Sequence, residues 1–429
     1  MNTKKPTGSI RKRFNVLTLV FISVVVNYID RSNISVAAFA LSQDLSLSSI
    51  QMGYIFSAFA WTYAIFQIPG GILVDNIKAR ILYPVMLILW SISSLLQGFV
   101  NSFTVLTGLR ASSGIFQAPS FPTNNAIASK WFPEKERGSA IAIYTSGQYV
   151  GLAFLTPLLV SIQYYLGWRG LFIFSGVIGL ILSYIWHKFY RDPKEHKSIS
   201  KTELEYICQD EPNTSNNHDS ENTIKFSWKD IKHAFVHKKL WGLYIGQFCI
   251  GSLIIFFLTW FPTYLVQYRG IDFLESGFLA SIPFLAAFVG VILSGFTSDF
   301  LIRKGYKKEV ARKLPIICGM LLSTCIIGVN YTDNTNFIIL FLTIAFFGNG
   351  FASTTWVFVS LMAPKRLIGL VGGTFNFIGS SSAVITPIAI GYLAKNGDFR
   401  PAIFFITCLT VVGLLSFIFL IGKIKKINI

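Results

Sequence analysis

Asp30 and Arg31 stand side by side in NYIDRSNISV (residues 27–36), after an uncharged run from Phe14 to Asn27. A second arginine, Arg110, lies in GLRASSGIFQAPSFPTNN, seven residues before Gln117 and on the same helical face. All of these fall inside apolar stretches. An Arg or Asp at the centre of a membrane helix costs about 2.5 to 3.5 kcal/mol on insertion scales. Such groups therefore pair with one another or line a watery cavity. Snorkelling does not relieve Arg31, because about 17 residues, roughly 25 Å of helix, separate it from the basic N-terminal flank. A purely structural ion pair is one reading; a carboxyl that exchanges protons beside guanidinium groups that bind an anion is the other.

The neighbouring polar residues bear on that choice. Tyr28 and Arg31 share a face at i, i+3, and Asn27 neighbours both Asp30 and Arg31. Tyr63 and Gln67 are one turn apart, and Gln148 follows Ser146. A cavity lined by Arg, Tyr and Gln suits a polyhydroxylated anion: the guanidinium takes the carboxylate bidentately while amides and phenols bond the hydroxyls. The C-terminal half carries no mid-span charge. It offers GNGFASTTWVF and GGTFNFIGSSS, in which Ser353, Thr355, Trp356 and Asn376 are candidates for the hydroxyl end of such a ligand. Each alone would serve helix packing equally well, since small residues are common where membrane helices meet. The functional reading rests on the set.

The elements that must position these residues follow from composition. Of 429 residues, 52% are hydrophobic and 13% charged, about half the charge of a soluble domain. Twelve apolar stretches reach the roughly 20 residues a span needs: 14–40, 51–73, 81–100, 103–129, 138–164, 168–190, 238–268, 276–301, 313–330, 335–362, 367–394 and 399–422, hereafter spans 1 to 12. The start, KKPTGSIRKR before an apolar run, imitates a signal peptide, but no small-residue cleavage site stands out and it is read as a retained first helix. With the N-terminus inside, only Arg169, Arg269, Lys395 and Arg400 of the 37 basic residues fall outside; Arg31 and Arg110 lie within spans, and the rest are cytoplasmic. That asymmetry sets both termini in the cytoplasm and accounts for the net charge of +17 without nucleic acid. Cys208, Cys249, Cys318, Cys325 and Cys408 form no CxxC and no spaced framework, so neither a disulfide scaffold nor a metal site is expected.

The chain divides into a tail (1–13), a first set of six spans (14–190), a central cytoplasmic segment (191–237), a second set of six (238–423) and a short tail (424–429). In the central segment SISKTELEYI reads as a short amphipathic helix, and EPNTSNNHDSEN as disordered. The halves echo each other. Gly71-x3-Asp75, with Lys78 and Arg80 behind it, follows span 2; Gly295-x3-Asp299, with Arg303 and Lys304, follows span 8. Glycine would allow close helix approach, and the aspartate would cap a helix and pair with the cations after it.

Two such loops in register, twelve spans and a central loop resemble the major facilitator superfamily: an all-α membrane protein of two pseudo-symmetric six-helix bundles around a midplane site. More specifically, YIDRSN, MGYIFSAFAWTYAIFQIPGG, GLRASSGIFQAPSFPTNN, YTSGQYVGLAFLTPLL, FLTWFPTYL, PFLAAFVGVILSGF, FFGNGFAS and GGTFNF are similar to the sugar-acid symporters of its anion:cation symporter family, the D-galactonate members in particular. The likeness runs over the whole chain apart from 191–237 and the tails. It implies proton-coupled uptake of a sugar carboxylate across the cell membrane of a bacterium by a monomer, with no cofactor beyond the coupled proton. It implies that Tyr28, Arg31, Tyr63, Gln148, Ser353, Thr355, Trp356 and Asn376 touch substrate, that Asp30 carries a proton, and that Arg110 is its partner. One position departs: the family typically has Glu, a second protonatable group, where this chain has Gln117.

The expected coupling is a competition. Ionised, Asp30 engages an arginine; protonated, it releases that arginine to the substrate carboxylate, so proton and anion favour each other's binding. With one carboxyl in place of two, transport of one proton with one monoanion is expected to move no net charge. Gluconate, hexuronates and glucarate are alternative cargoes. Drug-exporting antiporters share the fold, but span 5 reads GQYVGLAFLTP without the GxxxGPxxGG pattern they often carry, and two buried arginines suit anions better than cationic drugs. A non-transporting sensor would bind cargo without moving it. Enzymatic activity is not expected: His187, His196, His218, His233 and His237 all lie at or within the central segment, and no nucleophile, metal or nucleotide motif occurs.

Overall fold

The computed structural model describes residues 12–196, 198–210, 237–363 and 368–422, all helix, turn or irregular chain, with no strand among them. Ten helices in these residues are long and apolar enough to cross a membrane. They reconcile with twelve spans because one of them carries two spans and another span is broken. Spans 1, 2 and 3 are the helices Lys12–Asp44, Ser49–Asn76 and Ala79–Gln97. Span 4 is split into Phe103–Gln117 and Ser120–Trp131. Glu134–Phe189 carries spans 5 and 6, which turn at Gly167 (φ 70°, ψ 173°), a backbone conformation that a side chain would strain. Spans 7 to 9 are Lys238–Thr259, Phe273–Arg303 and Lys308–Ser323. Span 10 is Thr335–Phe351 followed by Trp356–Met362, and spans 11 and 12 are Ile368–Leu393 and Arg400–Leu415.

The break in span 4 has a chemical cause. Pro119 has no N–H, so the carbonyl four residues earlier, that of Ile115, loses its helical partner. The Ala118 N–H is shared between Gly114 O (3.2 Å) and Ile115 O (3.4 Å) instead. Gln117 is thereby the last residue of the first helix, still on the face of Arg110.

The chain forms two compact units. One comprises the described residues of Met1–Asn33, Trp61–Leu155 and Leu166–Glu221; the other comprises those of Ile34–Ala60, Thr156–Tyr165 and Asn222–Ile429. The first is held by an aromatic-rich core in which Tyr83 stacks on Trp186 (centroids 4.0 Å) and Trp186 on Tyr190 (5.1 Å), beside Val20, Val24, Trp90 and Trp131. In the second, Ser35 Oγ donates to Thr259 O (2.9 Å), Phe56 meets Trp260 edge-on (5.2 Å), and Trp260 Nε1 donates to Pro387 O (3.1 Å). A Cβ at Gly53 would fall 2.6 Å from Pro387 O, and one at Gly391 2.6 Å from Ser49 O. Span 2 thus touches span 11 backbone to backbone.

The central segment bears out its expected helix as Lys201–Ile207, with Ser200 Oγ accepting from the Glu203 N–H (3.1 Å). Glu203 is buried and accepts from the backbone N–H groups of Lys12 (3.1 Å) and Arg13 (3.2 Å), the opening residues of span 1. A carboxylate at a helix start satisfies orphan donors and the helix dipole together. Arg13, fully buried, pairs with Glu136 (3.3 Å) and lies over the Tyr206 ring (4.6 Å), while the Tyr206 hydroxyl donates to Glu136 (2.8 Å). The stretch EPNTSNNHDSEN lies outside the described residues.

The Gly/Asp repeats differ from expectation. A Cβ at Gly71 or Gly295 would meet nothing within 4 Å. The close approaches are made by neighbouring glycines instead: Gly70 against Pro119, and Gly290 against Phe347 and Phe351. Asp75 and Asp299 lie in the last turns of their helices, not at a helix start, so neither is an N-cap. Asp299 does pair with a cation, Arg312 at 3.2 Å, rather than with Arg303 or Lys304. Arg80 is half-buried in the first turn of span 3.

Candidate functional site

In the first unit the polar residues of spans 1, 3, 4 and 5 form one connected network. Asp30 is buried. Its Oδ2 accepts from Gln117 Nε2 (2.6 Å), and its Oδ1 accepts a short hydrogen bond from Ser94 Oγ. Gln117, also buried, turns its Oε1 the other way, where it accepts from Arg31 Nε (3.2 Å). The amide is thus a bridge with a fixed sense, its N–H toward the acid and its carbonyl toward the base. That orientation follows from chemistry: an ionised carboxylate only accepts and a guanidinium only donates.

The Arg31 guanidinium lies over the rings of Tyr63 (4.7 Å) and Tyr28 (5.2 Å), a cation–π arrangement that favours Arg over Lys. The Tyr28 hydroxyl donates to Gln148 Oε1 (2.9 Å). Span 5 comes close enough for this because of the glycines flanking Gln148. A Cβ at Gly147 would be 3.1 Å from Phe21 O, and one at Gly151 would be 3.2 Å from the Tyr28 Cβ. Arg110 is buried on the same helix as Gln117 and interacts electrostatically with both Asp30 and Arg31. One turn beyond Asp30, Asn33 Nδ2 donates to Ser175 Oγ (2.6 Å) and ties span 1 to span 6.

The structure therefore joins Tyr28, Asp30, Arg31, Tyr63, Gln117 and Gln148 by direct contacts. Ser94, on which Asp30 depends, was missed; the serine cluster WSISS in an otherwise apolar span 3 was the available signal. Asp30 makes its described hydrogen bonds to neutral groups, Ser94 and Gln117, which differs from a direct Asp30–Arg31 bond. Adjacent helical side chains point about 100° apart, so Asp30 and Arg31 meet through the side chain that lies between them.

The candidates in the second unit are arranged otherwise. Ser353–Thr355 is a tight 3₁₀ turn between the two helices of span 10, with Thr354 off helical geometry (ψ 21°). Thr355 is buried and its Oγ1 donates to Gln247 Oε1 (2.7 Å). Trp356 is 52% exposed and meets Phe375 edge-on (4.9 Å). Ser353 is half-buried and Asn376 exposed. Gln247 is the residue that sequence reasoning passed over here, although it is an amide within the apolar run of span 7, as Gln148 is in span 5.

The sequence family described as Major Facilitator Superfamily matches residues 20–387. A D-galactonate transporter of Escherichia coli O6:H1 strain CFT073 is 48% identical over 430 aligned positions, covering 100% of this chain and 99% of the relative. A probable galactarate/D-glucarate transporter, GudP of Bacillus subtilis strain 168, is 40% identical, covering 97% and 93%. Among solved structures, a bacterial homolog of the human lysosomal transporter Spinster superposes with a TM-score of 0.75 at 18% identity, covering 96% of this chain and 97% of that one. That likeness shows the fold.

Proposed function

The chain belongs to the Major Facilitator Superfamily, a multi-pass membrane transporter and not an enzyme, and from that premise we propose that it imports a sugar-acid monoanion, D-galactonate first, together with a proton. Both termini face the cytoplasm in this reading. The observation that carries it is the bridge Asp30–Gln117–Arg31, which links a buried carboxyl to a guanidinium through one amide.

The coupling works through the sense of that amide. With Asp30 ionised, Gln117 donates to it and so offers its carbonyl to Arg31. A proton on Asp30 Oδ2 turns that oxygen from acceptor to donor. Gln117 then accepts with its carbonyl, which rotates its NH2 toward Arg31. Two donors now face each other, and Arg31 is handed to the cargo carboxylate. By reciprocity, a cargo that holds Arg31 favours the protonated acid. Tyr28, Tyr63 and Gln148 bond cargo hydroxyls from the same side. Ser353, Thr355, Trp356 and Asn376 provide uncharged contacts. Arg110 keeps the acid ionisable by supplying a cation that does not leave.

Because Gln117 cannot carry a proton, one proton accompanies one monoanion. The pH gradient then supplies about 1.4 kcal/mol, or tenfold accumulation, per pH unit. A second proton would add the membrane potential, about 2.3 kcal/mol per 100 mV. The test is uptake of labelled galactonate into vesicles at a fixed pH gradient with and without an imposed inside-negative potential. Uptake independent of potential supports the proposal, and strong stimulation by potential removes it. Competition by gluconate, hexuronates and glucarate ranks the cargo.

A further inference from the structure

A cavity of about 680 Å³ lies apart from the polar network, between the inner ends of spans 1 and 6. Its lining is graded. At one end stand three cations: Lys12 at the start of span 1, Lys188 in the last turn of span 6, and Arg191 just past it. Deeper along the same helices it is walled by Leu19, Ile22 and Ile185. Ile22 lies about 15 Å along the helix from Lys12 and is 43% exposed, so the apolar wall is open rather than packed over.

The one acid of the lining, Glu195, is bound by Lys78 (2.5 Å). Nearby, Asp192 is bound by Lys130 (2.9 Å) and Glu203 by the N–H groups of Lys12 and Arg13. Arg191 is fixed, its Nη1 donating to the carbonyls of His187 (2.8 Å) and Tyr190 (2.6 Å). The His196 imidazole, also in the lining, is held below its usual range by burial first and then by the Lys12 and Arg191 cations, against an opposing pull from Glu203. A cationic head region above an apolar groove at the level where a span enters the cytoplasm is complementary to an anionic amphiphile, and to neither a sugar acid nor a cation.

We propose that this cavity holds an anionic phospholipid of the inner leaflet, its phosphodiester among Lys12, Lys188 and Arg191 and an acyl chain along Leu19, Ile22 and Ile185. A phosphatidylcholine of equal chain length brings no net charge and is held less. Binding at this place fastens span 1, which carries Asp30 and Arg31, to span 6.

The test is native mass spectrometry of the purified full chain in detergent, with phosphatidylglycerol and phosphatidylcholine of the same acyl chains. The expected result is at least about fivefold preferential retention of phosphatidylglycerol, the equivalent of the roughly 1 kcal/mol that a single basic residue contributes at a membrane surface. The preference falls to parity in the K12Q/K188Q/R191Q variant. Ile22→Trp, which fills the groove and leaves charge unchanged, lowers retention of both lipids. Equal retention of the two lipids by the natural sequence overturns the proposal, as does a preference that survives K12Q/K188Q/R191Q. Displacement of phosphatidylglycerol by inorganic phosphate would assign the site to a free anion instead and also overturns it.

Discussion

The polar groups of spans 1, 3, 4 and 5 and those of spans 7, 10 and 11 are organised on opposite principles. In the first set each side chain holds the next: Ser94 holds Asp30, Asp30 holds Gln117, Gln117 holds Arg31, and Tyr28 holds Gln148. In the second, Thr355 and Gln247 bond each other, while Trp356 and Asn376 are exposed. Charge explains the contrast. A buried carboxyl and guanidinium must be satisfied at every moment, because an unpaired charge away from water costs several kcal/mol. Neutral hydroxyls, amides and an indole can wait for cargo at far lower cost. On the proposed function the switch draws on the interlocked groups, and the second set adds only neutral contacts to the cargo.

The largest effect should come from removing the acid. Asp30→Asn is expected to abolish accumulation driven by a pH gradient, about tenfold per pH unit, while counterflow of labelled galactonate persists. Accumulation that survives would move the proton to another group and end the contrast. Next, Arg31→Lys retains charge but loses the planar fork and its cation–π contacts with Tyr28 and Tyr63. Half-saturation for galactonate should rise about 10- to 100-fold, as expected for a charge-assisted hydrogen bond of about 1.5 to 3 kcal/mol. An unchanged value would mean the cargo carboxylate is bound elsewhere. Gln117→Glu sharpens the comparison. It adds a second titratable group beside Asp30 and should make uptake respond to membrane potential, by up to about 2.3 kcal/mol per 100 mV, where the natural protein does not respond. The smallest effects belong to the neutral second set. Thr355→Val and Asn376→Ala should reorder a competition panel of sugar acids by less than about tenfold, roughly 1.4 kcal/mol, and leave the pH dependence of uptake unmoved. A shift in that dependence would bring the second set into the switch.

Much of this was legible in the residues, and the parts that were not share a cause. Twelve spans followed from apolar run lengths. The polar candidates of spans 1, 2, 4 and 5 followed from the cost of polar groups in hydrocarbon, which makes each one conspicuous. The break in span 4 was written in Pro119, yet its use, ending a helix at Gln117, depended on three-dimensional packing. Ser94 was hidden because serine is inexpensive in a membrane helix, where it can bond the carbonyl one turn back, as Ser93 does with Leu89 O (3.0 Å). The Gly71 and Gly295 repeats were visible, but which glycine a neighbour approaches is set by helix rotation. No spacing rule reveals that, so Gly70 and Gly290 took the contacts instead. The sense of the Gln117 amide likewise appears only once both of its partners are in view.

The Glu203 carboxylate seated on the first amides of span 1 has a consequence for genetics. It moors the segment through Ile207 to the first half of the polypeptide. A gene interrupted beyond codon 210 and re-expressed as two open reading frames should therefore yield fragments that assemble in the same cell, whereas an interruption between codons 191 and 200 would cast that mooring adrift with the wrong fragment.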